Sequence, residues 1–318
     1  MLAPIVLFVY NRPWHAEQTL KALMLNELAN ESELFIYCDG PKPNALEKEL
    51  NKIIEVRQVI RKKKWCKEVA IIESDINLGL ANSILKGVTE VVNKYGKIIV
   101  LEDDIVVTDD FLFFVNNSLY YFEKKKEVFH INGFNNESNL QYLLDDYYFL
   151  NFMSCWGWAT WRDRWSQLNL DFSYFYDKLL IDEKAMSRFN YGKTLLFHNQ
   201  LEANISGEIK TWAILWYATV NFNKGLCLTP KYSLVNNIGM DGSGVHCGEN
   251  VFYDNVYEKR NAPLKDSLIQ KIKYRELLRH RVHLKLFFKY GSMFQISSIL
   301  KEIIFNLKRI LKRIKKRI

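Results

Sequence analysis

The stretch Lys97-Ile98-Ile99-Val100-Leu101-Glu102-Asp103-Asp104 decides how this chain is read, because an apolar run of strand-forming residues stops there in three consecutive carboxylates. Four successive apolar residues without polar alternation predict a strand covered on both faces, as in a parallel sheet. In open sheets of that kind ligands sit outside the carboxyl ends of the strands, which puts Glu102, Asp103 and Asp104 at a crevice. Three adjacent anions repel one another, so the arrangement calls for a cation, and a divalent metal beside a diphosphate suits it best. The competing reading is a solvated acidic turn, since Asp is also an ordinary loop and helix-cap residue. Thr108-Asp109-Asp110, just downstream, predicts such a cap for a helix over 111–125.

Working outward, a strand over 5–10 is followed by Asn11-Arg12-Pro13 and a helix over 14–28. A second strand over 33–38 ends at Asp39-Gly40-Pro41, and a helix over 45–64, a strand near 69–72 and a helix over 81–95 lead back to the acidic strand. This alternation predicts an α/β fold, Rossmann-like, with a mainly parallel sheet flanked by helices. Beyond residue 127 the pattern becomes irregular and aromatic without a clear linker. Residues 1–126 therefore read as a nucleotide-binding half, 127–262 as a second half of the same domain, and 263–318 as a basic helical tail.

Composition bounds the alternatives. With 318 residues, 48% of them hydrophobic, the chain can bury a sizeable core, which excludes a disordered or fibrous protein. Five cysteines without paired spacing argue against a zinc site or a disulfide framework and suit a reducing compartment. The N-terminal residues read as a first strand, lacking the basic start of a signal peptide, and no apolar run reaches the length of a membrane span. The net charge of +8 conceals a split, for residues 271–318 carry 15 Lys or Arg against only Glu276 and Glu302. From 296 onward, Ile299, Leu300, Ile303, Ile304, Leu307, Ile310, Leu311, Ile314 and Ile318 recur at helical steps opposite a basic face. This amphipathic helix is expected to lie on an anionic membrane surface. Packing on the body or against a second copy is the alternative, and nucleic-acid binding finds no motif to support it.

No glycine-rich dinucleotide fingerprint and no Walker-type loop follows the first strand. The strand ends offer instead Asn11, Arg12, Asp39 and the acidic triplet. An Arg there suits a phosphate, and a lone Asp can accept from a base or ribose. Together these residues resemble the GT-A class of nucleotide-sugar glycosyltransferases, and more closely the N-acetylglucosaminyltransferase I type, over most of residues 4–248. The resemblance adds Gly157-Trp158, Lys210-Thr211-Trp212 and the glycine-rich stretch from Gly239 to Gly248, in the family's order. It implies a GT-A fold whose second half faces the acceptor. It also implies Mn²⁺ or Mg²⁺ held by Asp104, ribose and sugar contacts from Glu102 and Asp103, the diphosphate on Arg12 and uracil on Asp39.

One departure matters. Where the family carries an Asp as the base that deprotonates the acceptor hydroxyl, this sequence has Lys210 or Thr211, neither a credible base at neutral pH. Glu208 and Asp241 are the candidates to replace it. Trp158, Trp161 and Trp165 read as one face of a helix and mainly as core, with Trp156 or Trp158 as candidates to border the sugar. His246 is a candidate donor or metal ligand in a loop over the diphosphate, while His15, His130, His198, His280 and His283 show no ligand spacing. The expected function is inverting sugar transfer from a nucleoside-diphosphate sugar, UDP-linked by preference, to a saccharide or glycolipid. Its expected setting is surface polysaccharide or lipopolysaccharide synthesis at the cytoplasmic face of the cell membrane. The rivals are a non-catalytic, membrane-associated sugar-nucleotide-binding protein and a nucleotidyltransferase.

Overall fold

The computed structural model describes residues 1–136, 141, 144–192, 194–242 and 272–290. His246 and the amphipathic stretch from 296 onward lie outside the described residues. The first half follows the expected alternation: β1 (Ile5–Val9), α1 (Pro13–Met24), β2 (Glu33–Cys38), α2 (Glu47–Val59), β3 (Glu68–Glu73), α3 (Leu80–Tyr95) and β4 (Lys97–Glu102). There follow β5 (Ile105–Val107), α4 (Phe111–Phe122), β6 (Val128–Asn132), β7 (Tyr147–Leu150) and β8 (Trp158–Trp161). Five further helices, α5 (Arg162–Trp165), α6 (Phe172–Ile181), α7 (Glu183–Phe189), α8 (Phe197–Ile205) and α9 (Ala213–Phe222), precede β9 (Leu226–Pro230) and β10 (Val235–Asn237). The last described helix is α10 (Leu278–Tyr290).

Eight strands form one mixed sheet in the order β3-β2-β1-β4-β8-β6-β9-β7. The first four are parallel, as the apolar runs require, and helices cover both faces. In β4, Ile99 and Leu101 face the core under α1, α2 and α4, whereas Ile98 and Val100 face the core under α3 and α9. β3, at the edge, is the exposed strand and carries Glu68 and Glu73 at its ends, which discourages further pairing. The second half joins through β8, which runs antiparallel between β4 and β6. β6, like β4, runs antiparallel to β8, so its carboxyl end lies at the same sheet edge as those of β1 and β4, and on its other side it pairs in parallel with β9. β5 and β10 make a separate antiparallel ribbon.

Two expectations change. Trp158, Trp161 and Trp165 do not share a helix face: Trp158 and Trp161 lie on strand β8, and their side chains enter opposite cores. The helix over 111–125 forms as Phe111–Phe122, but Asp110 at its N-cap makes no capping bond with its side chain. The Leu112 N–H goes instead to the buried Asn26 Oδ1 at 2.9 Å, while Asn26 Nδ2 donates to Ala22 O, so one amide ties the end of α1 to the start of α4. Within the expected tail, residues 272–290 pack on the body. Tyr274 stacks on Phe149, His280 lies against Tyr148, and Arg279 pairs with Asp145.

Candidate functional site

Arg12 follows the end of β1 and opens α1, whose first turn is set by Pro13. Its Nη2 donates to Asp103 Oδ1 and, at 2.9 Å, to Asp104 Oδ2. Both carboxylates sit in the tight turn between β4 and β5, and both are buried. The β5–β10 ribbon then brings the segment 237–241 onto that turn. Ile238 N–H donates to the Asp104 carbonyl at 2.9 Å, and Gly239 N–H donates to Asn237 Oδ1 at 2.8 Å. A Cβ on Gly239 would overlap the Asp104 carboxylate and come within 2.8 Å of Arg12 Nη1, so the approach is open only to glycine.

One turn further along α1, His15 Nε2 lies 3.2 Å from Asp241 Oδ2. His15 is buried, and its Nε2 has no hydrogen-bond partner among the described residues. Thr19 Oγ1 donates to the Asp103 carbonyl at 2.8 Å and pins the acidic turn to α1. Arg12, His15, Asp103, Asp104 and Asp241 thus converge at the carboxyl edge of the parallel strands, beside the positive end of the α1 dipole.

Charge here is out of balance. Burial, then the neighbouring Asp104 and Asp103, hold the Glu102 carboxyl well above its usual range. Burial also raises Asp103, against the opposing pull of Arg12. Asp103 and Asp104 share the one guanidinium of Arg12. Among the described residues no trio of His, Cys, Asp or Glu forms a metal cage. Two carboxylates backed by phosphate oxygens are nonetheless the donor set that Mg²⁺-like ions take with nucleotides, and a divalent charge would match the excess. The residues present therefore fit a metal shared with its ligand.

Other candidates fall elsewhere. Asn11 Nδ2 reaches Glu49 Oε1 at 3.5 Å, next to the Tyr10 hydroxyl that donates to the same oxygen at 2.8 Å, so it ties β1 to α2. Asp39 is fully engaged: Oδ1 accepts from Gly40 N–H and Leu78 N–H, and Oδ2 accepts from Gly79 N–H and Asn77 Nδ2. That clamp fixes the loop ahead of α3 and leaves no acceptor position for a nucleobase. Trp158 is fully buried, stacked between His130 and Trp212, and so does not border a sugar site. Glu208 is exposed in the turn after α8. Thr211 is held at both its amide and its hydroxyl by Asn204.

A cavity of about 280 Å³ opens between the segment after β6, residues 152–156, α8, α9 and the end of α10. Trp156 lines it with Phe134, in edge-to-face contact at 4.5 Å. Gly133 N–H donates to the Gly157 carbonyl at 2.7 Å, and Gly157, at φ +60°, packs on Val235 and Ile105. These are neighbours of the acidic turn, so cavity and turn share one edge of the sheet.

Sequence reasoning passed over Thr19, set His15 aside for want of ligand spacing and took Gly239 only as the start of a glycine-rich stretch. The signal for the first two was their helical spacing from Arg12 behind Pro13, which puts them over the acidic turn. The close approach at Gly239 could not be read, because it is a contact between segments distant in sequence.

No protein-family model and no curated protein sequence matches the chain. Among solved structures, the crystal structure of S. aureus TarS aligns at a TM-score of 0.28 and 12% identity, covering 42% of this chain and 21% of that one. The structure of its segment 1–349 gives the same score and identity, covering 42% of this chain and 35% of that one. The chain thus spans about a fifth and about a third of these proteins, and a likeness of this size carries no functional argument.

Proposed function

We propose that this chain transfers a sugar from a nucleoside-diphosphate sugar to a hydroxyl acceptor, as a GT-A type glycosyltransferase. The observation that carries the reading is the Arg12 guanidinium bridging Asp103 and Asp104 at the carboxyl edge of a parallel sheet, with Gly239 pressed onto the pair. Arg12 supplies a rigid fork for a diphosphate, and the first-turn N–H groups of α1 add to its positive field. A divalent ion such as Mn²⁺ or Mg²⁺, held by Asp104, would offset the charge of the leaving diphosphate. The acceptor oxygen attacks the anomeric carbon as the bond to the diphosphate oxygen breaks, which inverts that centre. Asp241, half-exposed and 3.2 Å from His15, would take the acceptor proton, and a protonated His15 would hold its charge close to α1. Glu208 is the weaker candidate because it is exposed to solvent and, among the described residues, no ion pair ties it to α1 as His15 ties Asp241.

Calorimetric titration of UDP, GDP and CMP, each with and without Mn²⁺, tests the site directly. UDP is expected to bind in a metal-dependent way, at least tenfold more weakly to Asp104→Ala. Absence of binding by every nucleotide would overturn the reading. The engagement of Thr211 by Asn204 favours one second reading, a binding protein on a transferase scaffold. Nucleotide binding without hydrolysis or transfer of any sugar nucleotide would select it.

A further inference from the structure

We infer that the 280 Å³ cavity holds the apolar end of a phosphate-bearing amphiphile, an alkyl or isoprenyl phosphate that carries the acceptor sugar. This rests on the transferase reading and adds the substrate class of its acceptor side. Among the described residues no charged side chain lines the cavity. Its walls are mainly aromatic and aliphatic, with Phe134, Phe152, Met153, Phe197 and Ile214 among them. The Tyr217 hydroxyl is turned away to the Phe189 carbonyl at 2.6 Å. Among the described residues Asn136, Ser154 and Gln200 bring the remaining amide and hydroxyl groups, too few to clothe a saccharide, whose ring hydroxyls each need a partner when buried. At about 30 Å³ per water-sized group the volume takes roughly nine, enough for the first part of a chain and not for a whole lipid.

Charge complementarity fixes the headgroup. α10 presents Arg281, Lys285 and Phe288 at helical spacing along one face. Phe288 lines the cavity and lies 5.7 Å from the Phe152 ring. Arg281 sits over the Tyr191 ring, 6.1 Å from which lies Phe152, and Lys285 reaches Gly192. Glu276 lies 3.8 Å from Arg281, so among the described residues the two cations on this face of α10 exceed the acid beside them by one charge, on the face whose Phe288 lines the cavity. A phosphate there would anchor the chain inward, with its apolar end among the aromatic walls.

Cys155 lines the cavity and is half-buried, whereas Cys38, Cys66 and Cys227 are buried, so its alkylation reports occupancy. In a Cys247→Ser chain, decyl phosphate below its micellar concentration is expected to slow alkylation of Cys155 by N-ethylmaleimide at least tenfold. Inorganic phosphate and octyl glucoside at equal concentration should not slow it. Calorimetry should give decyl phosphate at least fivefold weaker binding to Ala213→Leu, which fills the cavity, than to the unsubstituted chain. No protection by decyl phosphate, or equal protection by octyl glucoside, would overturn the assignment. UDP titrated into the same samples keeps the two readings apart: a chain that binds decyl phosphate and no nucleotide fails as a transferase, and one that binds UDP alone fails only here.

Discussion

Around Arg12 the decisive contacts are between single residues, and each has a cost that can be measured. Substituting Gly239→Ala forces a methyl group into the Asp104 carboxylate and against Arg12, so either the ion pair or the 237–241 segment must move. UDP affinity should fall at least tenfold, with a stability loss of about 1–3 kcal/mol seen in the melting temperature. Unchanged affinity would mean that the segment can yield freely. The acidic triplet and Arg12 were legible in the sequence because strand ends are marked by where apolar runs stop. At Asp39 and Trp158 the sequence was silent on the surroundings, because a motif names a residue type but does not say which neighbours already hold it. Four donors occupy the Asp39 carboxylate, and a cage of aromatic rings closes around Trp158.

Elements are joined here by buried polar side chains that periodicity does not reveal. Arg164, in the short helix α5, is almost wholly buried and lies over the Trp161 ring. It donates to the carbonyls of Phe122, Glu123 and Lys125 at the end of α4 and to that of Val128 at the start of β6. It thereby satisfies the carbonyls a helix end leaves unpaired, in the polarity its dipole favours. Arg164→Met keeps the length but strands those carbonyls, and urea unfolding should give a loss of about 3 kcal/mol or more. A loss below 0.5 kcal/mol would mean that water replaces the guanidinium at no cost. α10 docks differently. Burial, then the neighbouring His280, lowers His283 to about 4, and burial lowers His280 to about 4 as well. Both imidazoles are neutral in the fold, and the unfolded chain takes up their protons below about pH 6.5, so their stabilisation is complete above that pH and is lost as the pH falls toward 4. His283→Gln should flatten the fall in melting temperature across that window, by on the order of 2 kcal/mol at its acid end. Identical pH curves would remove His283 from the account. Four βα repeats could be read from local pattern, whereas β8 could not, because its place between two strands is set by partners distant in the chain.

Across the whole molecule the charge is polarised, with 29 basic and 34 acidic residues up to 270 and the cations concentrated beyond it. No helix among the described residues is long and apolar enough to cross a membrane. The basic amphipathic stretch should give salt-sensitive flotation with anionic vesicles, largely lost at 0.5 M salt and in a chain lacking 296–318. Equal flotation of the shortened chain would end that idea. The same large scale gives β8 its consequence. A second-half strand occupies the slot between β4 and β6, so the two halves form one ladder of hydrogen bonds and have no hinge between them. Cleaved at the apparent boundary near 126, the first fragment would carry β4 as a naked edge of buried-type residues and would stick to its own kind. Only fragments produced together, able to thread β8 back into its slot, would reassemble. The order in which the ribosome delivers the chain therefore leaves the acidic strand unguarded until Trp161 has emerged.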